Sequence, residues 1–375
     1  MKYLCILFIV IVFYGCHSGE KKYSGDISIV CLEEKNTDPL LLSAVIDSVS
    51  FLPLIEQDNF LFGNINKLIM HREYIYIMDV WISNSLLVFD NTGVFVRKIG
   101  KKGDGPEEYG RLRDFDVDSE YIYMYDEQKR ILKYDLQGNF IEKKRTPFSV
   151  SEFKILKNRK YLFALEEDKD NKYQIVHTDS VFNVEASFFP FPFEYDESKG
   201  LIYRDNILQT VDEVIFYSKL HSDTVYSFSN EGNFIGGVLF DFGQKTLPER
   251  LRNNPEEFAM GTEKSNFKYF ADTPFKVDQL WIGGSMANEK YFGTFVYDNI
   301  SDKYYFYRRN LDYTNVNLPM FANSKYIIGW MDINVYNRLE KKPAFSSSTM
   351  AILEEGGHVL SFYHLRQNRR ITEKE

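Results

Sequence analysis

The residues best placed to do chemistry are carboxylates. Asp114, Asp116 and Asp118 alternate in RLRDFDVDS, and a period of two puts Asp114 and Asp116 on one side of an extended strand. Asn64, Asn66, Glu152 and Asn206 stand at comparable places in neighbouring segments. Carboxylate and amide oxygens that converge suit calcium, a hard cation. A cation held that way polarises a carbonyl and activates water. Asn64, Asp114, Glu152 and Asn206 are therefore a candidate metal set; the competing reading makes them turn-forming and solvated polar residues. A second candidate is GKKGDGPEEYG (100–110). Its glycines and proline permit tight turns and expose backbone N–H groups that could form an anion nest. Glu107, Glu108 and Tyr109, with Asp114 and Asp116, form the candidate ligand-binding set. The plainer alternative is a linker whose glycines meet steric demands. No Gly-Lys-Ser/Thr follows, which excludes a phosphate-binding loop of the P-loop kind. The six histidines show neither metal-ligand spacing nor a Ser/His/Asp pattern, so no catalytic residue is assigned.

The elements that must position these groups repeat. YIYIMD (74–79), LLVFDNTG (86–93) and VFVRKIG (94–100) recur as YIYMYD (121–126), ILKYDLQG (131–138) and NFIEKKR (139–145). Strands with aromatic or β-branched groups on both faces suit a sheet packed on both sides. Asp90 to Gly93 and Asp135 to Gly138 have the residues of a type I turn closing a hairpin, with Gly left-handed. A sheet of four such strands cannot bury both faces alone, so copies must stack as blades. Six units are read: about 64–100, 113–145, 151–189, 205–243, 274–309, and a last one with KYIIGWMD (325–332) and STMAILEE (348–355) as strands. The missing strand of the last unit comes from HVLSFYH (358–364) or from an N-terminal strand at 48–55, which would close the ring and remove an open edge. A short surface helix is expected in the insertion at 247–268.

Composition agrees with one large all-β domain. Aromatic residues reach 16% (26 Tyr and 32 Phe), ample for blade-to-blade packing. Charged residues are mixed in sign, against disorder, and a net charge of −9 argues against a nucleic-acid partner. Basic residues at 97, 98, 101 and 102 read as a solvated rim. Cys31 has no partner once the leader is removed, so the fold rests on packing rather than disulfides.

Met1-Lys2, an apolar run from Tyr3 to Tyr14 and then Gly15-Cys16 form a leader too short to span a bilayer. Gly-Cys after that run resembles the bacterial lipobox, although Phe13 replaces the usual Leu and Tyr14 the usual small residue. The resemblance implies acylation of Cys16 and a lipid anchor in the membrane; several acyl chains together hold stably. Residues 1–16 are then signal peptide, 17–43 a polar tether and 44–375 the propeller. HSGEK after Cys16 lacks the acidic run common in surface-exported lipoproteins, which points to the periplasmic side of the outer membrane.

The order YIYxxD, FDNTG, KIG, together with SFLPLIE (50–56), GKKGDGPEEYGRLRDFDVD (100–118) and SDTVYSF (222–228), resembles NHL-like repeats and the six-bladed β-propeller lipoprotein family of Bacteroidota. The resemblance covers nearly the whole chain. Its most specific element, GxGPxEY, departs from the family at Glu107, where Gly is usual. It implies a fold and a cell-envelope location but no chemistry. Six-bladed lactonases and esterases place a metal in the central channel, so a calcium-dependent hydrolase is one reading. A structural subunit of an outer-membrane complex is another. The reading adopted is an all-β, six-bladed propeller of four-stranded blades, lipid-anchored and non-catalytic, binding a small molecule, glycan or protein on its channel face without an obligatory cofactor.

Overall fold

The computed structural model describes residues 25–56, 62–191, 206–219, 221–252, 266–288, 291–308, 312–317 and 319–366. Within them the chain forms a six-bladed β-propeller of antiparallel sheets. Blade one is Lys67–His71, Tyr74–Asp79, Ser85–Asp90 and Phe95–Ile99. Blade two is Leu112–Val117, Tyr121–Asp126, Arg130–Asp135 and Phe140–Arg145. Blade three runs from Val150–Ile155 to Val184–Pro190, and blade four from Leu208–Val211 to Phe234–Asp241. In blade five Lys268–Phe270 and Phe275–Val277 both pair with Leu280–Asn288, followed by Tyr291–Asp298 and Lys303–Arg308.

Two-sided burial explains the repeat. In YIYIMD, Ile75 and Ile77 pack towards blade six with Ile328 and Leu360, whereas Tyr76 and Met78 pack towards blade two with Ile122 and Met124. Each such side chain contributes about 1.5–3 kcal/mol on burial, so neither face can be left wet. Gly93 and Gly138 take φ of +84° and +93° in their turns, and each N–H bonds the carbonyl of the turn's first Asp. The strand-ending aspartates of the repeat are equally structural. Asp79 is fully buried and accepts N–H bonds from Gly63, Trp81, Ile82 and Ser83. Asp126 accepts from Gly110 and Gln128, and Gly63 and Gly110 both lie 16 residues before their aspartate.

Ring closure uses the N-terminal strand. Blade six is Phe321–Ala322, Tyr326–Met331, Val359–Leu365 and, outermost, Ile46–Pro53, which pairs antiparallel with Val359–Leu365. STMAILEE is not a strand of this blade: Ser347–Glu354 is an α-helix, its first turn capped by the Ser346 hydroxyl accepting from Thr349 N–H. The serine run ahead of it supplies the cap that the strand reading overlooked. Of the helix expected at 247–268, Glu249–Arg252 is observed and 253–265 lie outside the described residues.

The stretch read as a tether is also different from residue 27 onward. Ile27–Cys31 pairs in parallel with the outermost strand of blade four, and Asn36–Thr37 with that of blade five. The helix Leu41–Val45 then buries Leu41, Leu42 and Val45, and Leu42 N–H donates to the Tyr307 hydroxyl at 2.8 Å. The physical reason is that outer strands leave a row of unpaired N–H and C=O groups, and a chain crossing them with a few leucines satisfies both edge and core. The N-terminal segment is a strap over three consecutive blades.

Candidate functional site

The innermost strands of blades one to three bring Lys67, Asp114, Asp116, Glu152 and Lys154 together, all buried. Their arrangement follows from an edge problem. An innermost strand has no partner on its channel side, so alternate N–H groups are unpaired. Asp114 accepts from Phe153 N–H and Asp116 from Ile155 N–H, both at 2.7 Å. Glu152 repeats the device one blade on, accepting from Ile207 N–H at 3.0 Å and Leu208 N–H at 2.8 Å. Each carboxylate thus latches its own blade to the next.

Two lysines balance the charge. Lys67 Nζ lies 2.7 Å from Asp114, and Lys154 Nζ 3.8 Å from Asp116. Burial and the nearby Lys67 charge hold Lys154 below the ordinary lysine value, against the pull of Asp116, Asp114 and Glu152. Asp114 is pushed up to about 7 by burial, with the Lys67 charge opposing and Glu152 adding to the rise. Three carboxylates share two ammonium groups, so the fully ionised cluster keeps one net negative charge, and this excess adds to the burial that already favours a proton on Asp114.

These donors do not fit a calcium ion. The oxygens of Asp114 and Glu152 are aimed at backbone N–H groups and an ammonium rather than at a common point. Asn64 Oδ1 accepts from the N–H of Ile65, Asn66 Oδ1 accepts from Val80 N–H, and Asn206 reaches Met320 Sδ of blade six at 4.0 Å. Among the described residues no group of three or more His, Cys, Asp or Glu has metal-binding geometry.

The 100–110 loop lies elsewhere. Tyr109 is fully buried in the core between blades one and two, its hydroxyl donating to the Asn84 carbonyl at 3.0 Å. Glu108 fills its own loop: its carboxylate accepts from Gly105 N–H at 2.9 Å and pairs with Lys101 at 3.1 Å. Those two contacts, the backbone one first, hold it below the usual carboxylate range. A Cβ on Gly103 would sit 2.0 Å from the Glu108 carboxylate, so a side chain there would have to displace it from the loop. The anion position of the nest is therefore taken by the chain itself. Lys143, on the outermost strand of blade two, donates to the Gly105 carbonyl at 3.0 Å and fixes the loop to the rim. Between loop and rim lies a groove of about 540 Å³ lined by Lys101, Pro106, Glu107, Glu108, Asn139 and Phe140 among others, a volume within the range of ligand pockets.

The candidate set therefore divides. Asp114 and Asp116 join Glu152 in the channel cluster, Glu107 and Glu108 border the rim groove, and Tyr109 is core. Lys67 and Lys154 escaped the sequence reading. The signal was present, since Lys67 and Asp114 are separated by the same 47 residues as Asp79 and Asp126. The histidines are dispersed: His364 Nε2 meets Ser50 Oγ at 2.7 Å, His221 packs edge-on against Tyr269, and His358 is buried against Phe62 and Trp330.

Comparison with known proteins fits this architecture. The pattern of DUF4934, described as a domain of unknown function, matches residues 27–364. The chain belongs to the DUF4934 family. The match begins at the first strand of the strap and ends in the last strand of blade six, so the strap is part of the family's domain. A crystal structure of a protein from Bacteroides fragilis, described as exported, is similar with a TM-score of 0.71 at 21% identity, over 91% of this chain and all of that one. A member of the DUF4221 family from Bacteroides vulgatus is similar with a TM-score of 0.52 at 13% identity, over 86% of this chain and 97% of that one. At these identities the likeness is one of fold. No curated protein matches.

Proposed function

We propose that this protein is an exported, lipid-anchored propeller of the bacterial cell envelope that binds a ligand without transforming it. The observation that carries the non-catalytic part is the state of the channel carboxylates. A metal-dependent hydrolase of this fold needs converging oxygens free for a cation, whereas Asp114, Asp116 and Glu152 are spent on strand-edge N–H groups. The rim groove beside Glu107 and Glu108 is the better ligand site. Its mixture of Pro106, Phe140, Lys101 and Asn139 suits a small molecule, a glycan or an extended peptide rather than a nucleic acid. Anchoring is supported by the leader ending in Gly15-Cys16, and export by that leader together with the description of the Bacteroides fragilis neighbour as exported.

Calcium content tests the reading. The purified protein, dialysed against trace calcium and assayed by elemental analysis, is expected to retain no ion. About one ion per chain, lost in Asp114→Ala, would restore the hydrolase reading. Anchoring is tested separately: Cys16→Ser should move the protein from the membrane to the soluble fraction, and unchanged membrane association refutes it.

A further inference from the structure

The strap carries a surface feature that channel and groove leave unexplained. The outer strands of blades one, two and three hold charged residues: Arg97 and Lys98, Glu142 to Arg145, and Glu185. Such charges are the normal protection of an open edge. Ile27–Cys31, which forms the outer edge of blade four, reads ISIVC and has none. Val30 packs inward against the core shared by blades four and five, so Ile27 and Ile29 lie on the opposite face. Register places them beside Gly237 and Leu239, and the backbone at Ile235 and Gly236 of the same neighbouring strand lies against Gly25. Ile27, Ile29 and Ile235 are 42%, 61% and 51% exposed, an apolar patch on one rim.

What covers the patch is indicated by the chain that leads to it. Ten residues separate Cys16 from Ile27, and so short a stretch spans at most about 35–40 Å. We propose that the blade-four rim is a membrane-contact surface, with Ile27, Ile29 and Ile235 seated at the headgroup level of the bilayer that holds acylated Cys16. This deepens the anchoring reading and rests on it. The contact stays at the interface, where water still reaches the unpaired edge groups, because hydrocarbon would leave them unsatisfied. The propeller then stands edge-on, with blade four down and the groove beside blade two away from the lipid.

The test uses the full-length protein, purified from membranes and reconstituted in phosphatidylcholine vesicles containing brominated lipid. Tryptophan emission is compared between Ile29→Trp and Val184→Trp, the latter on the outer strand of blade three and 49% exposed in the parent, each after subtraction of the parent protein. Ile29→Trp should be blue-shifted and quenched about two-fold or more beyond Val184→Trp. Equal or absent quenching in protein that floats with the vesicles and carries the acyl mass overturns the contact surface and leaves the anchor standing. Protein without the acyl mass overturns the anchor, and this inference with it.

Discussion

Glu152 offers the sharpest test of the latch described for the channel. Its two carboxylate oxygens accept the consecutive N–H groups of Ile207 and Leu208, which belong to the next blade. Glu152 is 7% exposed, so water does not readily replace it. Each buried donor left unsatisfied costs about 1–3 kcal/mol. Glu152→Ala orphans both and should destabilise by about 3–4 kcal/mol, which includes some relief from removing a charge in a cluster with excess negative charge. Glu152→Gln keeps one acceptor and turns an NH2 group towards the other donor, so about half that loss is expected. Urea unfolding followed by tryptophan emission reads both. With a slope of about 3 kcal/mol/M for a chain of this size, the midpoint falls by about 1 M for Ala and about 0.5 M for Gln. Calcium should leave the parent midpoint unchanged. The reasoning fails if both variants unfold at the parental midpoint, or if millimolar calcium raises the parent's midpoint and not that of either variant. The second outcome would make Glu152 a metal ligand.

Three other perturbations probe different parts of the ring. Lys67→Ala leaves the carboxylates one ammonium shorter and should cost about 3–5 kcal/mol, whereas Asp114→Ala removes the excess carboxylate but orphans Phe153 N–H and should cost less, about 1–3 kcal/mol. The double variant should cost less than the sum by more than 1 kcal/mol, and additivity in a denaturation cycle would show that the 2.7 Å pair is not coupled. His358 is pushed down to about 4 by burial, against the pull of Asp332 and Asp79. A base depressed in the fold is neutral in both states above pH 6.5 and costs stability as pH falls from there through about 4, by up to about 3 kcal/mol. His358→Phe should flatten that part of the melting temperature against pH; an unchanged slope counts against it. Gly93 closes the seam between blades one and six, where a Cβ would lie 2.2 Å from the Pro53 carbonyl and φ is +84°. Gly93→Ala should cost about 2–3 kcal/mol from strain and displacement, whereas an unchanged unfolding midpoint would mean the seam yields freely.

The linear chain determined the blade and its repetition around a closed ring. Hairpin turns, two-faced strands and the 47-residue echo are local, and local patterns are legible because turn chemistry and a period of two act between neighbours in sequence. They fixed the type of unit, the ring and even the N-terminal strand that closes it. Tertiary structure decided everything that depends on which edge meets which. Asp114 looked like a ligand because alternation gives the side of a strand but not what faces it; in the ring it faces the unpaired N–H of Phe153, 39 residues away. Glu108 looked free because no pattern shows a carboxylate folding back onto its own loop. Residues 17–43 looked like a tether because they are polar with one short apolar patch, yet the open edges of blades four and five exist only once those blades are built, and an unpaired edge binds whatever chain lies within reach.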